Sequence, residues 1–94
     1  MIREEFVITY PHGLHARPAT MLVGKAAQFD SVIELEFNKR TVNLKSIMGV
    51  LSLGVPENSP FIVKIEGIDE QSAMAAIRVV VTEINQLPTF YSAH

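Results

Sequence analysis

The chain has 94 residues, of which 48% are hydrophobic, and this fraction excludes a disordered chain and is sufficient for a packed core. The net charge is -2, so no basic surface argues for direct nucleic-acid binding. Cysteine is absent, which excludes a disulfide framework and a thiolate metal site. Acidic residues stand where a signal peptide needs an apolar run, and no apolar stretch could cross a bilayer. We therefore expect a cytoplasmic protein without membrane insertion.

The first half of the chain predicts a strand, a helix and a hairpin. Residues 6–10 are β-branched or aromatic, which favours a strand. A helix is predicted over residues 16–29 because apolar residues recur at helical spacing. That buried stripe comprises Ala19, Leu22, Val23 and Ala26. Residues 32–37 alternate between apolar and polar and predict a half-buried strand, which Asn38-Lys39 connects to a return strand over residues 40–44.

The second half predicts a short helix, a strand and a long helix. Ser46 is a favourable N-cap for the short helix, and Gly54 suits its C-terminus. Residues 61–66 alternate as a strand, and Asp69 is predicted to cap the last helix. The apolar stripe of that helix comprises Ala73, Ile77, Val80, Val81 and Ile84. Leu87-Pro88 ends it, so residues 1–86 are predicted to form one domain and residues 87–94 a loose tail. This order predicts an α+β fold with helices on one side of a sheet.

Residues 12–20 combine the features of an anion site at the start of a helix. Pro18 is tolerated in the first helical turn, and Gly13 permits a sharp turn before it. His15 then falls at or beside the N-cap, where free amides and the helix dipole favour an anion such as phosphate. An imidazole at this position can accept a phosphoryl group, and Arg17 can hold its charge. A solvated charge at Arg17 is the alternative.

Both predicted helices flanking the hairpin carry apolar or small residues on the side that faces away from the core. In the first helix Met21 and Gly24 share this side with polar residues. In the short helix Ile47, Met48 and Leu51 are left partly exposed if Val50 and Leu53 point inward. An exposed apolar cluster of this kind indicates a contact surface for another protein. For Gly24 alone, neutral drift is an equal alternative.

Two motifs resemble the HPr family, the histidine-containing phosphocarriers of the bacterial phosphoenolpyruvate–sugar phosphotransferase system. Residues 13–20, GLHARPAT, resemble the active-site signature of the family. Residues 43–50, NLKSIMGV, resemble its regulatory serine segment in the form typical of low-GC Gram-positive bacteria. The resemblance covers about residues 1–86 and implies an open-faced β-sandwich. In that fold three helices lie on one face of a four-stranded antiparallel sheet, in the order βαββαβα.

The resemblance also implies roles for individual residues and partners. His15 is expected to carry the phosphoryl group on Nδ1, and Arg17 to assist its charge. Ser46 is expected to be phosphorylated by the ATP-dependent HPr kinase/phosphorylase, and phospho-Ser46 to act on a catabolite control protein. A docking face for Enzyme I and the EIIA domains of sugar permeases is expected at Thr20, Met21, Gly24, Ile47, Met48 and Leu51. The protein would be a carrier rather than a catalyst and would need no cofactor.

Some residues depart from the family pattern, and other functions remain alternatives. His12 stands where a small polar residue is more common, and Pro56-Glu57-Asn58 replaces a commoner turn. A Crh-like regulator acting through Ser46 is the main alternative, although Crh lacks the active histidine that His15 supplies. A carrier in a nitrogen-type relay is a third candidate function. For Ser46 itself, the alternative is a role as a helix cap alone. His12 and His15 without a third ligand do not predict a metal site.

Overall fold

The computed structural model describes residues 1–89, which form four strands and three helices in the predicted order. None of the helices in this part of the chain has the length and apolar character needed to span a membrane. The elements are β1 (Ile2–Val7), α1 (Ala16–Ala26), β2 (Val32–Phe37), β3 (Arg40–Asn43), α2 (Ile47–Leu53), β4 (Pro60–Glu66) and α3 (Glu70–Asn85). Of the predicted tail at 87–94, residues 90–94 lie outside the described residues.

The four strands form one antiparallel sheet in the order β1-β4-β2-β3. The register places Ile65 of β4 opposite both Ile2 of β1 and Ile33 of β2. Leu35 of β2 lies opposite Val42 of β3. Apolar residues therefore align across neighbouring strands on one face, as the alternation in the sequence predicts. The α+β fold and the open-faced arrangement are confirmed.

The core lies between this apolar face and the three helices. α1 packs against both α2 and α3, and α3 packs against β1 and β4. The largest fully buried side chains come from every layer, and they include Ile8, Leu14, Leu22, Ile33, Leu35, Leu44, Val50, Phe61, Ile65, Met74, Ile77 and Ile84. The predicted stripes of the helices are confirmed except at Val23, which is half-buried, and α3 adds Met74 to its stripe.

The other side of the sheet, here called the open face, carries charged side chains. Successive residues of a strand point to opposite faces, so Arg3, Glu5, Glu34, Glu36 and Lys64 lie on it. Lys64 Nζ lies 2.9 Å from Glu36 Oε1. This hydrogen bond and the charge of Lys64 lower the pKa of Glu36. The open face thus stays hydrated while the opposite face is covered by helices.

Two predicted elements have bounds that are wrong by three residues or more, whereas those of β3 and β4 differ by one residue each. The first strand spans Ile2–Val7 rather than residues 6–10, because the pairing of β1 with β4 runs from Ile2 opposite Ile65 to Val7 opposite Pro60. The charged residues early in the strand hid this: Arg3 and Glu5 lie on the open face, and Glu4, on the helix side, pairs with Arg78 of α3. α1 ends at Ala26 rather than at residue 29. Residues 27–29 turn away, and the carbonyl of Phe29 accepts a hydrogen bond from Lys45 Nζ at 2.7 Å.

The two predicted connections have different outcomes. The hairpin at Asn38-Lys39 is confirmed, with φ of 53° and 67° at the two turn residues. Asp69 occupies the N-cap position of α3, but its side chain makes no capping hydrogen bond. Its carboxylate instead accepts hydrogen bonds from the amides of Asp30 and Ser31 at 2.8 and 3.0 Å, and from Ser31 Oγ. Asp69 therefore fastens the α1–β2 connection to the start of α3.

Candidate functional site

The chain reaches α1 through a tight turn at residues 10–13. The amide of Gly13 donates to the carbonyl of Tyr10 at 3.0 Å, which closes the turn after Pro11. His12 and Gly13 both have positive φ, at 71° and 64°. Glycine adopts this left-handed conformation readily, whereas a residue with a Cβ does so at a cost. The turn therefore needs contacts from elsewhere in the fold at His12.

Those contacts come from the connection between α2 and β4. The amide of Leu14 donates to the carbonyl of Val55 at 3.0 Å, and the amide of Asn58 donates to the carbonyl of Ile8 at 2.8 Å. A Cβ on Gly13 would collide with the carbonyl oxygen of Val55 and the backbone of the next two residues. Residues 8–14, here the active loop, thus lie directly on residues 55–58, here the supporting turn.

His15 is the N-cap residue of α1, as predicted, and its side chain is exposed and makes no capping hydrogen bond. Its carbonyl accepts the first helical hydrogen bond, from the amide of Ala19 at 2.9 Å. The amides of Ala16 and Arg17 have no intrahelical acceptor because they lie in the first turn, and Pro18 has no N–H. An imidazole therefore stands beside two donors and the positive end of a helix dipole.

Arg17 is exposed and forms no ion pair with any of residues 1–89. It lies two residues after His15 in the first turn of α1. Its guanidinium is thus available for an anion that joins the imidazole, and such charge-assisted hydrogen bonds are stronger than neutral ones.

Ser46 caps α2, as predicted. Its Oγ accepts a hydrogen bond from the amide of Gly49 at 3.0 Å, and its carbonyl accepts from the amide of Val50 at 3.0 Å. The side chain is half-buried. The hydroxyl therefore has a structural role in the described chain, and this role is compatible with modification because a phosphate is favourable at a helix N-terminus.

The exposed side of α2 is apolar, as predicted. Met48 is 78% exposed, Leu51 41% and Ile47 36%, whereas Val50 and Leu53 are buried. On α1, which packs against α2, Thr20 is exposed, Met21 is half-buried and Gly24 is exposed. A methyl group added at Gly24 would contact no described atom outside its own stretch of helix within 4 Å, so packing does not require glycine there. Three exposed apolar side chains on a seven-residue helix are typical of a contact surface.

Over residues 1–89, no three His, Cys, Asp or Glu side chains converge in a way that could hold a metal ion. His12 lies in the active loop, His15 directly follows that loop as the N-cap of α1, and both are exposed. The groups that the described residues bring to the site are an imidazole, a guanidinium and backbone amides.

A family model described as the PTS HPr component phosphorylation site matches residues 2–83. The chain belongs to the HPr family. Among solved structures, HPr-C-His from Thermoanaerobacter tengcongensis is similar at 36% identity and a TM-score of 0.89, over 95% of this chain and all of that one. The histidine-containing phosphocarrier protein of Mycoplasma is 31% identical, with a TM-score of 0.86 over 94% of this chain and all of that one. Crh from Bacillus subtilis is 35% identical, with a TM-score of 0.70 over 94% of this chain and all of that one.

Membership of the HPr family gives the protein the role of a phosphocarrier in the phosphotransferase system. The sequence motifs located His15, Arg17 and Ser46, and the structure places each at the start of a helix. The motifs did not reveal the hydrogen bond of 3.1 Å from the His12 amide to Glu57 Oε1. These two residues lie 45 positions apart in the sequence. The departure of residues 56–58 from the usual HPr turn was the one available signal.

Proposed function

We propose that this HPr-family protein accepts a phosphoryl group from Enzyme I on His15 and passes it to EIIA domains of sugar permeases. The observation that carries the proposal is the exposed His15 imidazole at the N-terminus of α1, which makes no capping hydrogen bond. The proposed site is shallow and open. A carrier must release its phosphoryl group as well as accept it, and an open site suits release better than an enclosed one.

The proposed transfer needs a nucleophile, alignment and stabilisation of charge. A lone pair on Nδ1 of the neutral imidazole attacks phosphorus, and the N–P bond forms as the bond from phosphorus to the donor breaks. The phosphate oxygens then face the amides of the first turn of α1 and the guanidinium of Arg17. The reverse sequence delivers the group to the next protein. The protein is thus a substrate and product of its partners and has no turnover of its own.

The proposed docking surface for Enzyme I and the EIIA domains consists of Thr20, Met21, Gly24, Ile47, Met48 and Leu51. Thr20, Met21 and Gly24 lie on α1, whose N-cap is His15, and α2 packs against α1, so the surface adjoins His15. Methionine is adaptable in shape, which suits a surface that meets several different partners in turn.

We further propose that Ser46 is phosphorylated by HPr kinase/phosphorylase. The phosphate adds a charge of roughly -1.5 to -2 beside the docking surface. Such a charge weakens docking to an acidic partner surface and gives a catabolite control protein a feature to recognise. The cap at α2 does not oppose the change, since phosphate oxygens also accept hydrogen bonds from helix amides.

A Crh-like regulator is the second candidate, and the similarity to Crh from Bacillus subtilis favours it. The two candidates differ at His15. A carrier requires a reactive histidine there, whereas a regulator acting through Ser46 alone does not.

Phosphorylation with two donors tests both candidates. One reaction contains Enzyme I and phosphoenolpyruvate, and the other contains HPr kinase and ATP. We expect acid-labile phosphate from the first reaction, lost in His15→Ala and retained in the matched control His12→Ala. We expect acid-stable phosphate from the second, lost in Ser46→Ala. Acid-labile phosphate on the His15→Ala variant would overturn the carrier assignment, and acid-stable phosphate alone would favour the Crh-like regulator.

A further inference from the structure

The active loop has one tertiary contact that comes from a charged side chain. Glu57 Oε1 in the supporting turn accepts a hydrogen bond from the amide of His12 at 3.1 Å. His12 is the residue of the loop that has a Cβ and a positive φ, at 71°. The contact thus holds the backbone at the point where its own conformational preference is least favourable.

The other hydrogen bonds between the active loop and the rest of the fold are made at Ile8, Thr9 and Leu14, and none of them involves His12. Leu14 is held by its amide to Val55 and by burial of its side chain, and Ile8 is held through its carbonyl. The amide of Thr9 donates to Asn85 Oδ1 at 2.8 Å. Between Thr9 and Leu14, the hydrogen bond from His12 to Glu57 is the one by which a side chain of the supporting turn holds the loop.

The orientation of the His15 imidazole depends on the backbone conformation at His12 and Gly13. His15 follows His12 by three residues, and the amide of His15 donates to the carbonyl of Gly13 at 2.9 Å. A change of φ at His12 or Gly13 therefore tilts the peptide to which His15 is bonded. The imidazole has no capping hydrogen bond of its own to correct such a tilt.

We infer that Glu57 is a positioning residue for phosphoryl transfer: by holding the His12 amide, it fixes the backbone that presents the His15 imidazole at the N-terminus of α1. This inference rests on the proposed role of His15. Glu57 acts through the loop and does not contact the phosphoryl group. Its side chain is exposed, so its removal disturbs the loop rather than the core.

The test compares Glu57→Ala with Glu57→Gln, which keeps an oxygen acceptor without the charge. Glu5→Ala, on the open face, is the control for loss of one negative charge. Two quantities are measured: the exchange of the His12 amide proton with solvent by NMR, and the steady-state transfer from Enzyme I with phosphoenolpyruvate as donor. We expect Glu57→Ala to lower kcat about fivefold with KM little changed, as loss of one hydrogen bond predicts. The same variant should accelerate His12 amide exchange.

Glu57→Gln should restore both quantities most of the way, and Glu5→Ala should leave both unchanged. The double variant His12→Gly/Glu57→Ala should recover part of kcat, because glycine adopts the left-handed conformation without assistance. A rise in KM with kcat unchanged would instead make Glu57 a contact for Enzyme I and overturn the inference. Unchanged His12 amide exchange in Glu57→Ala would overturn it as well.

Failure of the proposed function gives a different result. In that case the wild-type protein accepts no phosphoryl group from Enzyme I, and kinetics cannot be compared. The positioning by Glu57 is then decided by NMR alone: faster His12 amide exchange and greater mobility of the His15 ring in Glu57→Ala support it, and no change in either refutes it.

Discussion

The N-termini of α1 and α2 use their first residues in opposite ways. At α1 the N-cap residue His15 makes no capping hydrogen bond, and its exposed side chain leaves the first amides of the helix free. At α2 the N-cap residue Ser46 is half-buried, and its hydroxyl accepts from the amide of Gly49. One helix end keeps its electrostatic capacity for an incoming anion, and the other already uses part of it for local stability.

The difference accounts for how two proposed phosphorylation sites can coexist in so small a domain. We propose that the uncapped end serves fast, reversible transfer, since nothing has to be displaced when phosphate arrives or leaves. At the capped end the hydroxyl already accepts a hydrogen bond from the Gly49 amide, and the oxygens of an added phosphate can take over that bond. α3 adds a third case, because the carboxylate of Asp69 at its N-cap position serves the α1–β2 connection.

The largest effect is expected for Gly13→Ala, which disturbs the turn that leads into α1. The new Cβ would collide with the carbonyl of Val55 in a backbone with a φ of 64°. We expect a loss of at least about 2 kcal/mol in the free energy of unfolding. Urea denaturation measures it.

Gly54→Ala is the matched control for that variant. Gly54 has a similar φ of 56°, but a methyl group there would meet no described atom within 4 Å beyond Gly54 itself and its two chain neighbours. Its cost should be about 1 kcal/mol, which isolates the collision at Gly13 from the conformational penalty. Equal losses for the two variants would show that the supporting turn yields to an added methyl group.

Asp69→Ala should lower the melting temperature by several degrees, because it leaves the buried Ser31 hydroxyl and two amides without their acceptor. The hydrogen bond from Ser31, followed by that from the Asp30 amide, lowers the pKa of Asp69. A carboxyl group with a lowered folded-state pKa stabilises the fold above its unfolded pKa and loses this contribution as the pH falls through the folded value.

Wild-type protein should therefore lose stability on acidification below about pH 4, and Asp69→Asn should lose less over the same range. Thermal melts from pH 6 to pH 2 check this. Some acid sensitivity should persist in the variant, since Lys64 also lowers the pKa of Glu36. Identical pH profiles for the two proteins would remove Asp69 from the account of acid stability.

Ser46→Ala compared with His15→Ala tests the contrast between the two helix ends directly. Loss of the cap at α2 should cost about 1 kcal/mol in the free energy of unfolding. His15→Ala should cost less than about 0.5 kcal/mol, because the imidazole makes no hydrogen bond within the described chain. Ser46→Asp retains an acceptor for the Gly49 amide and should recover most of the loss. Equal losses from the first two variants would contradict the difference in capping.

The smallest effect is expected for Gly24→Ala, which should stabilise α1 by about 0.5 kcal/mol. A methyl group at this position meets no described atom outside its own stretch of helix within 4 Å. If a partner approaches α1 closely there, the same variant should raise the KM for Enzyme I although the protein is more stable. A more stable protein with unchanged KM would exclude Gly24 from the proposed docking surface.

Local patterns predicted most of the fold, and tertiary contacts explain where they failed. The strict alternation in residues 32–37 and the cap and glycine around α2 are local signals, and both elements have their predicted character. β1 is a sheet-edge strand whose bounds depend on pairing with β4, which no local pattern reports. Its three charged residues also masked the start of the strand. Asp69 has the identity of a cap, yet two amides and a hydroxyl nearly 40 positions away bind its carboxylate.

The sequence predicted which residues form the candidate site, but not the long-range contacts that hold the active loop in place. His15, Arg17 and Ser46 belong to contiguous motifs that predict helix starts. The supporting turn acts on His12 across 45 positions, and no local pattern reports such a contact. The collision that requires glycine at position 13 likewise involves Val55, far along the chain.

The open face of the sheet offers a practical route for following the protein during transfer. It lies on the side of the sheet away from the helices that carry His15 and Ser46, and its residue Thr41 is exposed. The chain has no native thiol, so cysteine introduced at Thr41 would be a unique attachment point for a fluorophore. Such a label would report docking to each partner by energy transfer while leaving both helix N-termini unmodified.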